Sequence, residues 1–427
     1  MLFICQCSNK NELVQVNWLK NNLIKTDTLF NSRDTSGVKQ QFQNIEIIGL
    51  GEGTHGTSEF YQIRHTLSEQ LIRQLDFNII ALEANYYEGV QLNNYINHGK
   101  GNLSAIIDSM LLWCWHSQEF MNSIKWLKSY NDTVPEIKKV KIYGIDIQSR
   151  KEEADIVIDY LQEVNAKYPI KVENALNIIK ESGFKPVSPE YENIVNEITD
   201  TLIKNKNTYI SKTTYQAWQE TYHCLTLLAY ANKYFRDKKE RMFLYGEIRD
   251  IYMYNNVNYV SEQEGKDSKI IIWAHNKHIS KWKNCGQLNL MCYKTMGHYL
   301  KNKYKSKYYS LGTIFNQGYF NTVNLDGVLC AHYLEPAPAG SAPDILSKTN
   351  INEFFINFME YKKNEKPVQE FLNNKIYIYT AGSSVEFGTA RKISLAESFD
   401  GIIFVDKTHA TRMIPRKNMK KKKNGDN

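Results

Sequence analysis

The sequence predicts an α/β protein with a mainly parallel central sheet, flanking helices and an inserted helical lobe that forms a large cleft. Two observations support this fold class. Apolar runs near residues 45–50, 76–83, 140–145 and 269–273 have the length of buried strands. The stretches between them have the spacing of amphipathic helices, and a strand–helix–strand unit places its two strands in parallel.

The first strand and the loop after it organise the chain. The apolar run Ile45–Leu50 breaks into the glycine-rich loop Gly51–Gly56, which contains Glu52 and His55. Glycines let the backbone turn sharply and approach a ligand closely. The segment from Thr57 to Leu75 has apolar residues at helical spacing, so we expect strand, loop and helix in succession.

The remaining elements follow from the same patterns. Helices are predicted at 151–168, 191–206, 213–234, 241–260, 293–304, 352–358 and 368–373. Strands are predicted at 308–315, 375–379 and 401–405, and we expect the last two to close the sheet.

The expected organisation is one large domain with two terminal segments. Residues 1–43 form an N-terminal extension and residues 411–427 a basic, disordered tail. The domain between them covers 44–410. Its α/β core is expected at 44–90, 138–150 and 240–410, and its helical lobe at 91–137 and 151–239.

Charge, hydropathy and cysteine content indicate which partners and which compartment to expect. The net charge is +7, but residues 416–427 contribute +5 of it, so a nucleic-acid partner is not expected. No apolar run reaches the ~18 residues of a membrane-spanning helix. The seven cysteines are scattered and fit neither a disulfide framework nor a zinc site, which favours a cytoplasmic protein.

Ionisable residues follow four of the apolar runs. The carboxyl ends of parallel strands meet at one edge of a sheet, so these residues are expected to gather along one rim and to form an acid–base site. They are Glu52 with His55, Glu83, Asp146, and His275 with His278. A plainer interpretation is that Glu83 and Asp146 only cap the helices that follow.

Two alternatives to acid–base chemistry remain open from the residues alone. Gly51, Gly53 and Gly56 match the spacing of a dinucleotide-binding loop, although an ionised Glu52 inside it would repel phosphates. The histidines and carboxylates are also suitable metal ligands, although no local ligand motif is present.

The third interpretation is hydrolysis without a metal. A neutral His55 would take a proton from water, Glu52 would fix its tautomer, and Arg64 would stabilise the developing oxyanion. The helical position of Arg64 lets its side chain lean back toward the loop. The G-x-S-x-G motif of serine esterases does not occur in the sequence.

The ordered set of motifs resembles the erythromycin esterase family from about residue 45 to residue 406. The motifs are Gly51-Glu-Gly-Thr-His55, Arg64, Ala81-Leu-Glu83, Tyr143-Gly-Ile-Asp146, Arg249-Asp250, Trp273-Ala-His-Asn-Lys-His278 and Met296-Gly-His-Tyr299.

The resemblance implies an activity. It implies hydrolysis of the lactone ring of 14-membered macrolides such as erythromycin, which confers antibiotic resistance. His55 would be the general base that activates water, with no metal and no cofactor, in a monomer whose partners are the macrolide and water.

The resemblance also assigns the other site residues. Glu52, Arg64, Glu83, His275 and His278 occupy the matching active-site positions. Arg64 would position water or stabilise charge, and His275 would bind or polarise the substrate carbonyl. For substrate binding we assign Trp115 and Asp146, with the segments around Tyr319 and Met359 as further candidate walls of the cleft.

Overall fold

The computed structural model describes residues 2–30, 36–164, 170–183, 185–240, 245–285 and 292–415. The strands are β1 (Ile24–Lys25), β2 (Ile47–Glu52), β3 (Ile79–Asn85), β4 (Lys141–Asp146), β5 (Ile270–His275), β6 (Lys283–Cys285), β7 (Cys292–Lys294), β8 (Tyr308–Val323), β9 (Leu329–Leu334), β10 (Glu353–Asn357), β11 (Ile376–Tyr379), β12 (Ala390–Ile393) and β13 (Gly401–Thr408). The helices before the lobe are α1 (Leu2–Asn22), α2 (Thr26–Leu29), α3 (Ser36–Phe42), α4 (Ser58–Leu75), α5 (Tyr86–His98), α6 (Leu103–Ser109) and α7 (Gln118–Thr133). Those that follow are α8 (Lys151–Glu163), α9 (Ile170–Glu181), α10 (Pro189–Lys204), α11 (Lys206–Lys212), α12 (Tyr215–Glu240), α13 (Tyr245–Glu264), α14 (Asn276–Ile279), α15 (Met296–Tyr304), α16 (Ala342–Ser347), α17 (Lys366–Asn373) and α18 (Leu395–Ser398).

A mainly parallel sheet forms the centre of the fold, as predicted. In the described residues its strand order is β1-β10-β13-β8-β2-β5-β3-β4, with β9 paired to β8. The run from β13 to β4 is parallel throughout, and the antiparallel pairs lie at the other end and at β9. β2 and β5 are buried along their whole length, as expected of apolar strands covered on both faces.

Helices cover both faces of the sheet. One face packs against α3 to α7, and the other against α1 and α13 to α17. The expected lobe is therefore smaller than predicted. Most of segment 91–137 belongs to a layer on the sheet, whereas α8 to α12 build a separate core of their own.

Two predictions for the C-terminal part are wrong. The segment predicted as a helix at 352–358 contains strand β10, which pairs with β13 and with β1. A short apolar run such as Glu353–Asn357 does not distinguish the two structures by periodicity. The strand predicted at 375–379 exists as β11, but it pairs with β12 in a separate two-stranded sheet and does not close the main one.

The terminal segments join the same fold. Leu19 and Phe42 of the expected N-terminal extension are fully buried, and β1 extends the main sheet. Residues 411–415 also pack on the core, through bridges and hydrogen bonds to the region of Gly56 and Ser117. The predicted tail from 416 onward lies outside the described residues. Among those described, no helix has the length and apolar character needed to cross a membrane.

Close packing of α5 on β4 gives a test of the fold. A Cβ atom on Gly89 would lie 2.1 Å from the backbone nitrogen of Gly144. We therefore expect Gly89→Ala to lower the free energy of unfolding by about 1–3 kcal/mol through overpacking, measured by urea denaturation.

The matched control is Gly382→Ala. No atom lies within 4 Å of the position that its Cβ would take. We expect a change within about 0.5 kcal/mol, and equal losses in the two variants would contradict the packing argument.

Candidate active site

The carboxyl ends of adjacent strands bring the predicted residues to one rim. Glu52 at the end of β2 is the register partner of His275 at the end of β5. β3 lies on the other side of β5 and carries Glu83, and β4 follows with Asp146. Neither acid caps a following helix: Glu83 accepts a hydrogen bond from the backbone N–H of His275, and Asp146 binds Arg249.

Glu52 links His55 to Arg64. Its Oε1 lies 2.7 Å from Nδ1 of His55, and its Oε2 lies 2.6 Å from a terminal nitrogen of Arg64. The carboxylate is 3% exposed and the Arg64 side chain 1%, whereas His55 is 12% exposed and lines a cleft. The bond to Glu52 requires a proton on Nδ1 of a neutral His55, which leaves Nε2 as the free acceptor.

Aromatic rings enclose the Arg64 guanidinium. Its central carbon lies 4.4 Å from the ring centroid of Tyr61, 5.2 Å from that of Trp273 and 6.0 Å from that of Trp115. Such rings stabilise a cation that burial has removed from water. The predicted direct role of Arg64 in charge stabilisation is therefore not supported by its position, because it reaches the cleft only through Glu52.

Trp115 was assigned to substrate binding, and the structure places it elsewhere. Its side chain is 1% exposed, it packs against Tyr61 and Phe120, and its indole N–H donates to the backbone oxygen of Glu83. Trp115 therefore supports Arg64 and β3 from the core side and does not form a wall of the cleft.

Backbone contacts hold the His55 loop on two sides. The backbone oxygen of Gly56 accepts hydrogen bonds from the N–H groups of Asn321 and Thr411, both at 2.9 Å. A Cβ atom on Gly56 would lie 2.2 Å from the backbone oxygen of Asn321, so the close approach requires glycine. We call residues His409–Met413 the strap.

The strap also covers the start of α4. The backbone N–H of Ser58 donates to the backbone oxygen of His409. In a dinucleotide-binding loop this end of the helix would face the pyrophosphate. The glycine spacing that matched such a loop is thus explained by packing, because a Cβ on Gly51 would also collide with the Asn276 side chain at 2.2 Å.

A second charge cluster lies beside the first and is centred on Arg249 of α13. Its guanidinium donates to both carboxylate oxygens of Asp146, at 2.9 and 2.6 Å, and to Oε1 of Glu83 at 2.8 Å. Asp146 is 2% exposed. It therefore positions Arg249, and its predicted role in substrate binding would act through that residue.

His278 joins this cluster to Asp250. Its Nδ1–H donates to Asp250 at 2.7 Å, and its Nε2 lies 3.3 Å from Glu83. Burial alone would lower the pKa of His278, but the carboxylates of Asp250 and Glu83 outweigh burial and raise it. Burial would likewise raise the pKa of Glu83, but His278 and Arg249 hold it well below its ordinary value.

His275 lies between the two clusters and is held neutral. Burial, followed by the neighbouring His55, keeps the pKa of His275 well below its ordinary value. Its Nδ1 accepts a hydrogen bond from the backbone N–H of Lys277, so the proton is on Nε2, near the Gly53 oxygen and the Thr380 hydroxyl. The rings of His55 and His275 are 5.1 Å apart between centroids.

The cleft opens above this rim and holds about 1150 Å³ of space, its open mouth included. His55, His275, His278, Glu83 and Arg249 line its floor. Its opposite wall comes from the β11–β12 sheet and its turn, through residues such as Ile378, Thr380, Gly382, Ser383, Gly388, Arg391 and Ile393. None of the described residues that line this cleft belongs to α8–α12.

Lys277 adds a cation to the cleft. Burial lowers its pKa to about 8, and Asp250 partly opposes this effect. The candidate walls around Tyr319 and Met359 do not line the cleft: Tyr319 packs against Tyr333 at the β8–β9 pair, and Met359 is 71% exposed. Among the described residues, no group of three His, Cys, Asp or Glu side chains has an arrangement that could hold a metal ion.

Sequence reasoning assigned no site role to Arg249, Asp250 or Thr380. Arg249 and Asp250 are adjacent on α13 and do not follow a strand, so the strand-end rule could not find them. Their presence among the motifs of the family resemblance was the signal. Thr380 ends β11, whose place in a separate sheet was not expected.

Comparison with known proteins identifies the family. The family model described as erythromycin esterase matches residues 72–408. The chain belongs to the erythromycin esterase family. Membership places it among esterase-type hydrolases, as the sequence motifs predicted.

Individual relatives agree over nearly the full length. The chain is 25% identical to erythromycin esterase type II of Escherichia coli, over 90% of this chain and 94% of that protein. A crystal structure of a Bacillus cereus protein superposes with a TM-score of 0.82 at 23% identity and covers 95% of this chain and 99% of that one. A mutant of the erythromycin esterase EreC in its open conformation superposes with a TM-score of 0.71 at 15% identity and covers 92% of this chain and 99% of that one. At these identities the two structures establish the fold.

The raised pKa of His278 predicts a pH-dependent contribution to stability. A group whose pKa is higher in the folded state than in the unfolded state stabilises the fold when it is protonated. The stabilisation is complete below the pKa of the unfolded state, near 6.5, and is lost as the pH rises through the pKa of the folded state. We expect the deficit of His278→Gln relative to wild type to be largest below pH 6.5 and to shrink at higher pH. Denaturant unfolding measured between about pH 5.5 and 8.5 checks this.

The control is His409→Gln, because His409 also bonds a glutamate but is 67% exposed. Its unfolding free energy is expected to differ from wild type by less than about 0.5 kcal/mol at every pH. A deficit of His278→Gln that grows with pH would contradict the assignment.

Proposed function

We propose that this protein hydrolyses the lactone ring of a 14-membered macrolide such as erythromycin, with His55 as the general base. The observation that carries the proposal is the orientation of His55. Its Nδ1 is bound to the buried Glu52, while its ring lines the open cleft. The proposal includes action as a cytoplasmic monomer with water as co-substrate, and the resulting ring opening would confer resistance.

The chemical step follows from this orientation. Nε2 of His55 takes a proton from a water molecule, and the water oxygen forms a bond to the lactone carbonyl carbon. The tetrahedral intermediate then collapses, the ring C–O bond breaks, and the proton held by His55 passes to the leaving alkoxide. The products are a carboxylic acid and an alcohol within one opened chain.

Groups along the cleft can stabilise the negative charge that develops on the carbonyl oxygen. The cations of Arg249 and Lys277 line the cleft, and so does the Nε2–H of the neutral His275, which also bonds the backbone oxygen of Gly53. Preorganised donors of this kind act strongly where water is excluded. Arg64 contributes indirectly, because it holds the Glu52 carboxylate that orients His55.

The first test is mass spectrometry of erythromycin incubated with the protein in the presence of a chelator. We expect wild type to add one water to the macrolide, and His55→Ala to lower kcat by about 10²–10⁴-fold. The control His409→Ala removes an exposed histidine that bonds Glu59 and should keep full activity.

Each other outcome has a defined meaning. Full activity of His55→Ala would refute the role of His55 as base. Activity that disappears only with the chelator would refute metal independence. Hydrolysis of other esters or lactones but not of erythromycin would refute the macrolide assignment and keep the esterase activity, which is the second candidate function.

The second test distinguishes the orienting role of Glu52 from the general effect of removing a carboxylate. Glu52→Gln removes the negative acceptor that fixes the His55 tautomer, so we expect kcat to fall by about 10²-fold or more. The chain provides a matched control in Glu59→Gln, because Glu59 lies 2.7 Å from His409 as Glu52 lies 2.7 Å from His55. The orienting role would be refuted if both variants lost activity to the same extent.

A further inference from the structure

A second cavity lies in the helical lobe, between α12 and α13. It holds about 890 Å³ of space, its open side included, and shares no lining residue with the cleft described above. Positions 218, 222, 226 and 230 of α12 line one side at the four-residue spacing that keeps side chains on one helix face. We call this cavity the lobe groove.

Aromatic rings form much of the wall of the lobe groove. Trp218 and Tyr222 stack with centroids 5.6 Å apart and an angle of 6° between their planes. Tyr259 of α13 lines the opposite side, and its ring stacks on His223 at 3.6 Å. Tyr222 is 38% exposed, so part of this aromatic surface is open to a ligand.

A buried histidine without a hydrogen-bond partner lies in the wall. His223 is 5% exposed and lines the groove, and its contacts are the rings of Tyr86 and Tyr259. Among the described residues, no group hydrogen-bonds to its ring nitrogens. Burial lowers the pKa of His223 to about 3, so the ring is neutral and offers one donor and one acceptor. His223 lines the open groove, so a ligand there can supply hydrogen bonds to its ring nitrogens.

The polar lining indicates the chemical class of that ligand. Gln219, Asn255 and Gln263 offer amide donors and acceptors, and Glu262 is the one acid among the described residues of the lining. No lysine or arginine is among the described lining residues, which disfavours an anion. A ligand with several hydroxyl groups can both donate to and accept from the amides and His223, while its C–H faces pack on the aromatic rings.

We propose that the lobe groove is a binding site for a neutral sugar ring, separate from the catalytic cleft. Tyr222, supported by the buried Trp218 ring, forms the stacking surface, and His223 with the amides binds the hydroxyl groups. The site does not depend on the proposed macrolide hydrolysis, because it uses none of the residues of the catalytic rim.

Isothermal titration of the full-length protein with maltose and with cellobiose tests the proposal. We expect a Kd of roughly millimolar for at least one of them. Tyr222→Ala should weaken binding by about fivefold or more, because the stacking surface is lost. The matched control is Tyr215→Ala, because Tyr215 stacks on Trp218 and is 51% exposed but does not line the groove.

A second variant tests the histidine without removing its ring. His223→Phe keeps an aromatic surface against Tyr259 and removes both ring nitrogens, so we expect weaker sugar binding with an unchanged melting temperature. Hydrolytic activity should be unchanged in Tyr222→Ala, which separates this site from the catalytic one. A failure of the sugar titration with intact esterase activity would overturn this proposal alone.

Three results would overturn it. The first is the absence of any heat of binding at sugar concentrations up to about 20 mM, which is well above the expected millimolar Kd. The second is equal sugar affinity in Tyr222→Ala and wild type, and the third is preferential binding of tetramethylammonium. The last would mean that the aromatic rings and Glu262 bind an organic cation.

Discussion

The buried carboxylate of Glu52 is the constraint on which the rest of the site depends. A charge removed from water must be paired, and Glu52 is paired on one side with Arg64 and on the other with His55. Arg64 in turn requires the rings of Tyr61 and Trp273, which belong to α4 and β5. The packing of the core on this face therefore fixes the direction in which one histidine ring points.

The cluster around Arg249 extends the same principle to the neighbouring strands. Glu83 and Asp146 end two adjacent parallel strands, and without a cation their buried charges would repel each other. Arg249 reaches both from α13, which connects the helical lobe to the sheet. Helix α13, which follows the lobe, is therefore bound to the rim through the carboxylates at the ends of β3 and β4.

Much of this arrangement could be predicted from the sequence, for physical reasons. Parallel strands are buried on both faces and appear in the sequence as apolar runs, so β2 to β5 were recognisable. Because these strands run in the same direction, the residues at their carboxyl ends could be placed on one rim: Glu52, Glu83, Asp146 and His275. Residues that reach the rim from a helix, such as Arg249, leave no local pattern. The wall formed by β11 and β12 could not be foreseen either, because pairing between short strands depends on tertiary packing. The assignment of Trp115 to the cleft was wrong because an aromatic residue is equally suited to a core and to a cleft.

The strap has a consequence for how the enzyme matures during synthesis. Thr411 and His409 bind the backbone of Gly56 and Ser58, some 350 residues earlier in the chain. The loop that carries His55 therefore leaves the ribosome long before the segment that clamps it. The loop that carries His55 therefore completes its backbone contacts only when residue 411 has been synthesised, and the strand that brings the strap to it, β13, is also the last strand of the parallel sheet in chain order.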